Sequence, residues 1–181
     1  MKKKIFITTG GSGGHVLPAL TIYEHLKTEY DILISSDQRG LKYFETKTYK
    51  PIIINSPKLK ISVFLPFVVF KIFFLIIKSL SILKKEKVLI LISTGGYMSL
   101  PLCFAAKILG IKIYLIEPNM VLGRANRFFL KFSKIIIGYS KNINNFPKNF
   151  KNKLRILKPL VRKKYYEELI NLKDTKLFTI I

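Results

Sequence analysis

Short apolar runs rich in β-branched residues alternate with longer stretches of helical period, the pattern of a parallel sheet with crossover helices. The first run, Lys4–Thr8, predicts a strand that breaks into a glycine loop, followed by a helix from about Val16 to Lys27. Further strands are predicted over Asp31–Ser35, Pro51–Asn55, Val88–Ser93, Lys112–Ile116 and Lys134–Gly138. Between them the pattern predicts a short helix near Leu41–Thr46 and a helix from Leu100 to Leu109, which Gly110 is suited to end. Another helix is predicted from Gly123 to Phe132. Asn142–Asn152 is polar, contains Pro147, and reads as a surface loop. The expected fold class is α/β, a Rossmann-like parallel sheet with helices on both faces.

One apolar stretch stands apart. Ile61–Leu83 approaches the length of a membrane span, but Pro66, Lys71 and Lys78 interrupt it and Lys84-Lys85-Glu86-Lys87 follows. Two lysines at mid-span would cost a spanning helix several kcal/mol. A helix lying in the bilayer interface lets both snorkel to the headgroups. The interface is therefore the expected place for Phe67, Phe70, Lys71, Phe74 and Lys78. Packing in the core is the rival for the aromatics of the stretch, Phe64 and Phe73 included. Some rings are expected to turn inward, because the helix must also cover the sheet.

Length allows one full α/β domain in the 181 residues and no second domain of similar size. Residues 1–160 are read as that domain. Residues 161–181 are read as a linker and the start of a second, truncated domain, because Leu177–Ile181 looks like a strand that stops with the chain. A last edge strand of the same domain is the alternative. The charge changes the picture next. With 32 Lys+Arg against 10 Asp+Glu the formal net charge is +22, which favours phospholipid headgroups, nucleic acid or phosphorylated substrates as partners. Biased codon usage competes as a cause, since Lys, Ile, Asn and Phe are all abundant. The single cysteine, Cys103, excludes an internal disulfide and fits a reducing compartment. It lies in an apolar helical pattern, where a thiol is inert. Met1–Thr8 starts basic but carries no small-residue cleavage site, so it reads as a strand and not as a signal peptide.

The densest chemical signal is Gly10-Gly11-Ser12-Gly13-Gly14-His15, set between a strand and a helix. Backbone N–H groups at a helix start favour an anion, and glycines let it approach closely. The run is neither a dinucleotide fingerprint, because Val16 stands where the last glycine would be, nor a P-loop, because no Gly-Lys-Ser/Thr follows. Four glycines in five residues are more than a tight turn requires, and phosphate or sugar binding is expected at this loop. His15 is either a base, held neutral by the helix start, or a ring that only hydrogen-bonds the loop. A second glycine loop, Thr94-Gly95-Gly96-Tyr97, ends the fourth predicted strand. Ligands of open α/β sheets bind at such carboxyl ends, and two glycine loops facing one crevice suit a diphosphate. Tyr97 is a crevice wall or ordinary packing. Glu117 orients a hydroxyl, acts as a base, or caps the next helix. No Cys/His cluster or H-E-x-x-H points to zinc.

Together these motifs resemble the MurG family, bacterial N-acetylglucosaminyl transferases of peptidoglycan synthesis. The resemblance rests on the first loop continued through Val16-Leu17-Pro18, on Gly95-Gly96-Tyr97-Met98-Ser99-Leu100-Pro101, and on Glu117-Pro118-Asn119 followed by Gly123-Arg124-Ala125-Asn126-Arg127. It extends in order over residues 1 to about 165. It implies the N-terminal half of a GT-B fold, whose active site lies between two Rossmann-like domains. It further implies transfer of GlcNAc from UDP-GlcNAc to a MurNAc-pentapeptide carried on a polyprenyl diphosphate. The anomeric centre inverts, with no metal or cofactor. The resemblance places nucleotide-sugar contacts on Ser12, Gly13, Gly14, Asn126 and Arg162, and a peripheral site on the cytoplasmic membrane face over Ile61–Lys87. Two departures stand out: Ile116-Glu117-Pro118-Asn119 where the family usually has His-Glu-Gln-Asn, and Lys158-Pro159-Leu160-Val161-Arg162 for its Asn-Pro-Val/Ile-Arg linker. The expected partners are UDP-GlcNAc, the lipid-linked acceptor and an anionic membrane surface, with no nucleic acid. Other readings are an acceptor subunit that recruits a separate catalytic chain, and a basic module binding anionic membrane or nucleic acid.

Overall fold

The computed structural model describes residues 2–45, 48–57 and 65–158. Seven parallel strands form one sheet in the order β3-β2-β1-β4-β5-β6-β7. They are β1 Lys4–Thr8, β2 Asp31–Ser36, β3 Ile52–Ile53, β4 Ile90–Ser93, β5 Lys112–Glu117, β6 Ile135–Gly138 and β7 Leu154–Ile156. The helices are α1 Gly13–Leu26, α2 Leu65–Lys85, α3 Leu100–Ile108 and α4 Arg124–Phe129. The period of two divides the strands between two cores. Ile5 and Ile7 join Ile34, Ile92 and Ile116 against Val16, Ala19 and Leu20 of α1. Phe6, Leu91, Ile113, Leu115 and Ile136 face the other way, against Leu83 of α2, Leu102 and Ala106 of α3 and Phe129 of α4. Strand order reverses at β1, flanked by β2 on one side and β4 on the other, so a crevice opens at the carboxyl ends of β1 and β4.

Three elements depart from expectation. The helix after the first loop begins at Gly13 and not near Val16, because Ser12 takes the N-cap place and Gly13 and Gly14 enter the first turn. The predicted loop Asn142–Asn152 runs into a 3-10 turn at Lys148–Lys153 and then an unpredicted edge strand, β7. The Lys153 ammonium anchors that turn by donating to the carbonyls of Leu130, Lys131 and Ser133 at 2.9, 3.0 and 2.7 Å. The third departure is the way the rings of α2 face; the helix itself runs through Lys71 and Lys78 as expected. Its buried stripe is Ile72, Ser79 and Leu83, facing α3. Phe67 is 68% exposed and Phe70, Phe73 and Phe74 are 60%, 57% and 60%. The expectation that some of these rings turn inward is therefore corrected for all four; the inward stripe is already filled, and Ser79 is small enough to let α3 come close. Phe64 lies outside the described residues, as do residues 159–181 with Arg162 and the strand expected at Leu177–Ile181.

Candidate functional site

The first loop leaves β1 at Thr8 and turns into α1 across Gly10–Ser12. Ser12 is exposed, and its hydroxyl makes no capping bond. A Cβ on Gly13 would stand 3.0 Å from the Tyr43 ring. At Gly14 the nearest atom would be Ser12 Oγ at 3.8 Å, so that side of the helix start is open. Asp37, just beyond β2, shapes the loop: its Oδ1 accepts the backbone N–H of Gly11 at 2.7 Å and of Gly40 at 3.0 Å.

The second loop follows β4. Gly95 and Gly96 have φ of +86° and +80°, which residues with a Cβ rarely adopt. Met98 is buried, and its side chain lies against Gly10, Gly11 and Gly96, where added Cβ atoms would come within 3.0, 2.7 and 2.5 Å of it. The two loops are thus packed on one another through Met98. They are also joined by Thr94 Oγ1, which donates to Thr9 Oγ1 at 2.9 Å, and by His15.

His15 Nδ1 lies 2.6 Å from the carbonyl oxygen of Thr94. A carbonyl only accepts, so Nδ1 carries the proton, and in the neutral ring Nε2 is left as the unprotonated nitrogen. The ring lines a cleft of about 590 Å³ together with Gly96, Tyr97, Glu117, Arg124 and Asn126. The structure thus gathers His15, the second glycine loop, Glu117 and Asn126 around one cleft, at the strand ends that the alternation pattern predicts.

Glu117 ends β5 and is 1% exposed. Its Oε1 accepts the backbone and side-chain N–H of Asn119 at 3.2 and 3.0 Å. Oε2 accepts the N–H of Gly123, which precedes α4, at 2.8 Å, and Nδ2 of Asn126 at 3.0 Å. Among the readings open for Glu117, this geometry is that of a cap. Asn126, also 1% exposed, gives its second Nδ2 hydrogen to the carbonyl of Ile116 at 2.9 Å. With two acceptors facing Nδ2 the amide cannot flip without setting oxygen against oxygen. Its Oδ1 is buried and has no hydrogen-bond partner among the described residues. A buried acceptor left unpaired costs about 1–3 kcal/mol, and it lies on the lining of the cleft.

The interlock through Asp37 was missed in the sequence. Its partner Gly11 lies 26 residues away, and the only local signal is a carboxylate at the end of a β-rich run. Expected membrane residues Phe67, Phe70, Lys71, Phe74 and Lys78 all lie on the exposed side of α2.

Comparison with known proteins bears on the family and the fold. Residues 5–138 match the model of the glycosyltransferase family 28 N-terminal domain. The UDP-N-acetylglucosamine–N-acetylmuramyl-(pentapeptide) pyrophosphoryl-undecaprenol N-acetylglucosamine transferase of Pelagibacter ubique is 50% identical over 93% of this chain and 48% of its own length. The transferase of the same name from Rickettsia canadensis is 33% identical over 98% of this chain and 51% of its own length. The chain thus spans about half the length of the curated relatives it matches. The crystal structure of Acinetobacter baumannii MurG superposes with a TM-score of 0.72 at 23% identity, over 92% of this chain and 48% of that one, a likeness of fold.

Proposed function

The chain belongs to glycosyltransferase family 28, whose N-terminal domain it carries over residues 5–138, and from this premise we propose that it is the acceptor-binding half of a peptidoglycan N-acetylglucosaminyl transferase. The reaction is transfer of GlcNAc from UDP-GlcNAc to the 4-hydroxyl of MurNAc-pentapeptide on a polyprenyl diphosphate. The acceptor oxygen attacks the anomeric carbon, the bond from that carbon to the UDP oxygen breaks, and configuration inverts. His15 Nε2 takes the hydroxyl proton, and UDP departs with the bonding pair. Two paired features support this reading: the Nδ1–H bond of His15 to Thr94, which fixes the tautomer, and the unpaired Oδ1 of Asn126, which a sugar hydroxyl or acetamido N–H would satisfy.

In this reading Ser12, Gly13, Gly14, Gly95 and Gly96 approach the diphosphates and sugars, Tyr97 walls the crevice, and Arg162 reaches the nucleotide sugar from the linker. Glu117 serves through its hold on Asn126. Residues 1–160 form the acceptor domain and 161–181 lead into the donor domain. The protein sits peripherally on the cytoplasmic face of the membrane, where Phe67, Phe70 and Phe74 of α2 insert among acyl chains and Lys71 and Lys78 meet anionic headgroups. The exposure of those rings supports this placement. So does the role of α2 as the crossover from β3 to β4 of one sheet, where it packs on α3.

The test uses the chain in its full reading frame, purified in detergent, with labelled UDP-GlcNAc and a short-chain lipid-linked MurNAc-pentapeptide. Transfer to the 4-hydroxyl with inversion is expected. An intact, folded protein that hydrolyses or epimerises UDP-GlcNAc but transfers nothing would overturn the assignment.

A further inference from the structure

Arg39 stands between the two glycine loops and belongs to neither motif. It follows β2 by three residues, and its side chain is 48% exposed. Its Nε donates to Asp37 Oδ2 at 3.0 Å, and Nη2 lies 2.9 Å from the same oxygen. Nη2 also donates to the phenolic oxygen of Tyr97, and the guanidinium carbon is 5.1 Å from the centre of the Tyr97 ring. Asp37, buried, already accepts the Gly11 and Gly40 N–H groups through its other oxygen. One carboxylate therefore fixes the first loop and the guanidinium together, and Tyr97 ties that guanidinium to the second loop. Nη2 lies 3.4 Å from where a Cβ on Gly11 would be, and Nη1 has no hydrogen-bond partner among the described residues. The result is a charged group over the mouth of the first loop, immobilised on one edge and unspent on the other.

We infer that Arg39 is a phosphate-binding residue that takes one phosphoryl group of a diphosphate lying across the two glycine loops. This rests on the function proposed above and names a contact which that reading lacks. Backbone N–H groups at a loop orient an anion but offer only partial charge. A guanidinium adds a full charge with fixed N–H directions, and charge-assisted bonds are about twice as strong as neutral ones. Asp37 and Tyr97 hold the side chain in place before the ligand arrives, which reduces the ordering cost of binding. A lysine offers neither the planar fork nor the second attachment. The diphosphate is that of the lipid acceptor or that of the nucleotide sugar, and the two sources separate by experiment.

Calorimetric titration of the 181-residue chain at low salt uses three probes: inorganic pyrophosphate, geranyl diphosphate and UDP-GlcNAc. Arg39→Ala is expected to weaken diphosphate binding by about tenfold or more, the scale of one hydrogen bond to a charged group, and Arg39→Lys to restore part of it. A loss confined to geranyl diphosphate assigns the lipid diphosphate, and a loss confined to UDP-GlcNAc assigns the nucleotide's. Tyr97→Phe separates ligand from tie, because it cuts the link between the loops while leaving the charge. Equal losses in Tyr97→Phe and Arg39→Ala, with both variants folded by circular dichroism, would make Arg39 a structural tie and overturn the inference. Unchanged affinity in Arg39→Ala would overturn it too, with the function proposed above left standing. A wild-type chain that binds none of the three probes would overturn the diphosphate crevice itself and Arg39's role with it.

Discussion

Gly13 and Gly14 are adjacent and look alike in the sequence, yet the structure gives them different tests. A methyl on Gly13 would press on the Tyr43 ring at 3.0 Å, so any loss there mixes packing with ligand approach. A methyl on Gly14 meets nothing closer than 3.8 Å, and Gly14 lies in the first turn of α1. Gly14→Ala should therefore leave stability unchanged or raise it by up to about 1 kcal/mol, while lowering kcat/KM of the full-reading-frame enzyme at least tenfold. Thermal denaturation beside steady-state kinetics checks both halves, and a stable variant with normal kcat/KM would remove the loop from the binding site. Asn126 offers a second test. Asn126→Ala deletes an unpaired acceptor but also two donated bonds, so it confounds fold with function. Glu117→Gln is cleaner in shape: it sets an amide NH₂ against N–H donors, either those of Asn119 or those of Gly123 and Asn126, and so loosens the hold on Asn126. The expected outcome is a raised KM for sugar substrates with little change in fold, and unaltered kinetics would confine Glu117 to a cap without consequence for the site. Cys103 shows a residue whose role composition already indicated. Burial pushes its thiol up to about 12, against the opposing hydrogen bonds of Ser93 and Ser99, so the neutral thiol persists through ordinary pH. At pH 8 it should react with a thiol reagent only after denaturation, and rapid reaction in the folded chain would contradict that burial. His15, the glycines and Glu117 were legible because each ends a strand or opens a helix. Asp37 and Arg39 were not, because their meaning lies in contacts with residues 26 and 58 positions away.

At the scale of elements, the strands of four or more residues were read within a residue or two, while one of the two shortest was overextended and the other missed. β3 keeps only Ile52–Ile53 of a predicted five, and β7 is three residues with an arginine at its centre, too brief for a period to register. α2 is the instructive case. Its sequence is apolar nearly all round, so period alone could not say which face is buried, and some of the aromatics were expected to share the core with the sheet. Packing assigned that role to the stripe Ile72, Ser79 and Leu83. Phe67, Lys71, Phe74 and Lys78, spaced four, three and four apart, were left on one exposed ridge. In the proposed placement this ridge would bury its rings in lipid while its lysines reach headgroups, each worth about 1 kcal/mol at an anionic surface. Liposome flotation should show binding to anionic vesicles that weakens with salt and with neutral lipid. Lys71→Glu with Lys78→Glu should abolish it without loss of helix by circular dichroism. Binding that survives both high salt and alkaline carbonate would contradict peripheral attachment, and no binding at low salt would contradict membrane attachment altogether.

The whole molecule turns a local pattern into a half-site. Strand order reverses at β1, and that single topological fact brings His15, Gly96, Glu117 and Asn126 to one cleft from elements 15 to 126 residues into the chain. The alternation of strands and helices made the parallel sheet legible, but strand order is a tertiary choice that alternation does not encode. In the proposed reaction the groups gathered at this cleft hold the acceptor, orient its hydroxyl and remove its proton. Departure of UDP needs more: a nucleoside diphosphate leaves readily only when its developing charge is met by donors on the far side of the anomeric carbon. The matched family unit is an N-terminal domain, and the chain spans about half the length of the curated relatives it matches. The purified 181-residue chain is therefore expected to bind the lipid-linked acceptor and to transfer no GlcNAc to it. Two measurements check this together. Acceptor binding is read by titration into the chain, and turnover by label transfer from UDP-GlcNAc under the same conditions. Turnover by the chain alone would mean that its own residues meet the leaving group, and would end the division of labour proposed here. Binding without turnover, followed by turnover when the remaining half of a relative is supplied as a separate polypeptide, would establish that division directly.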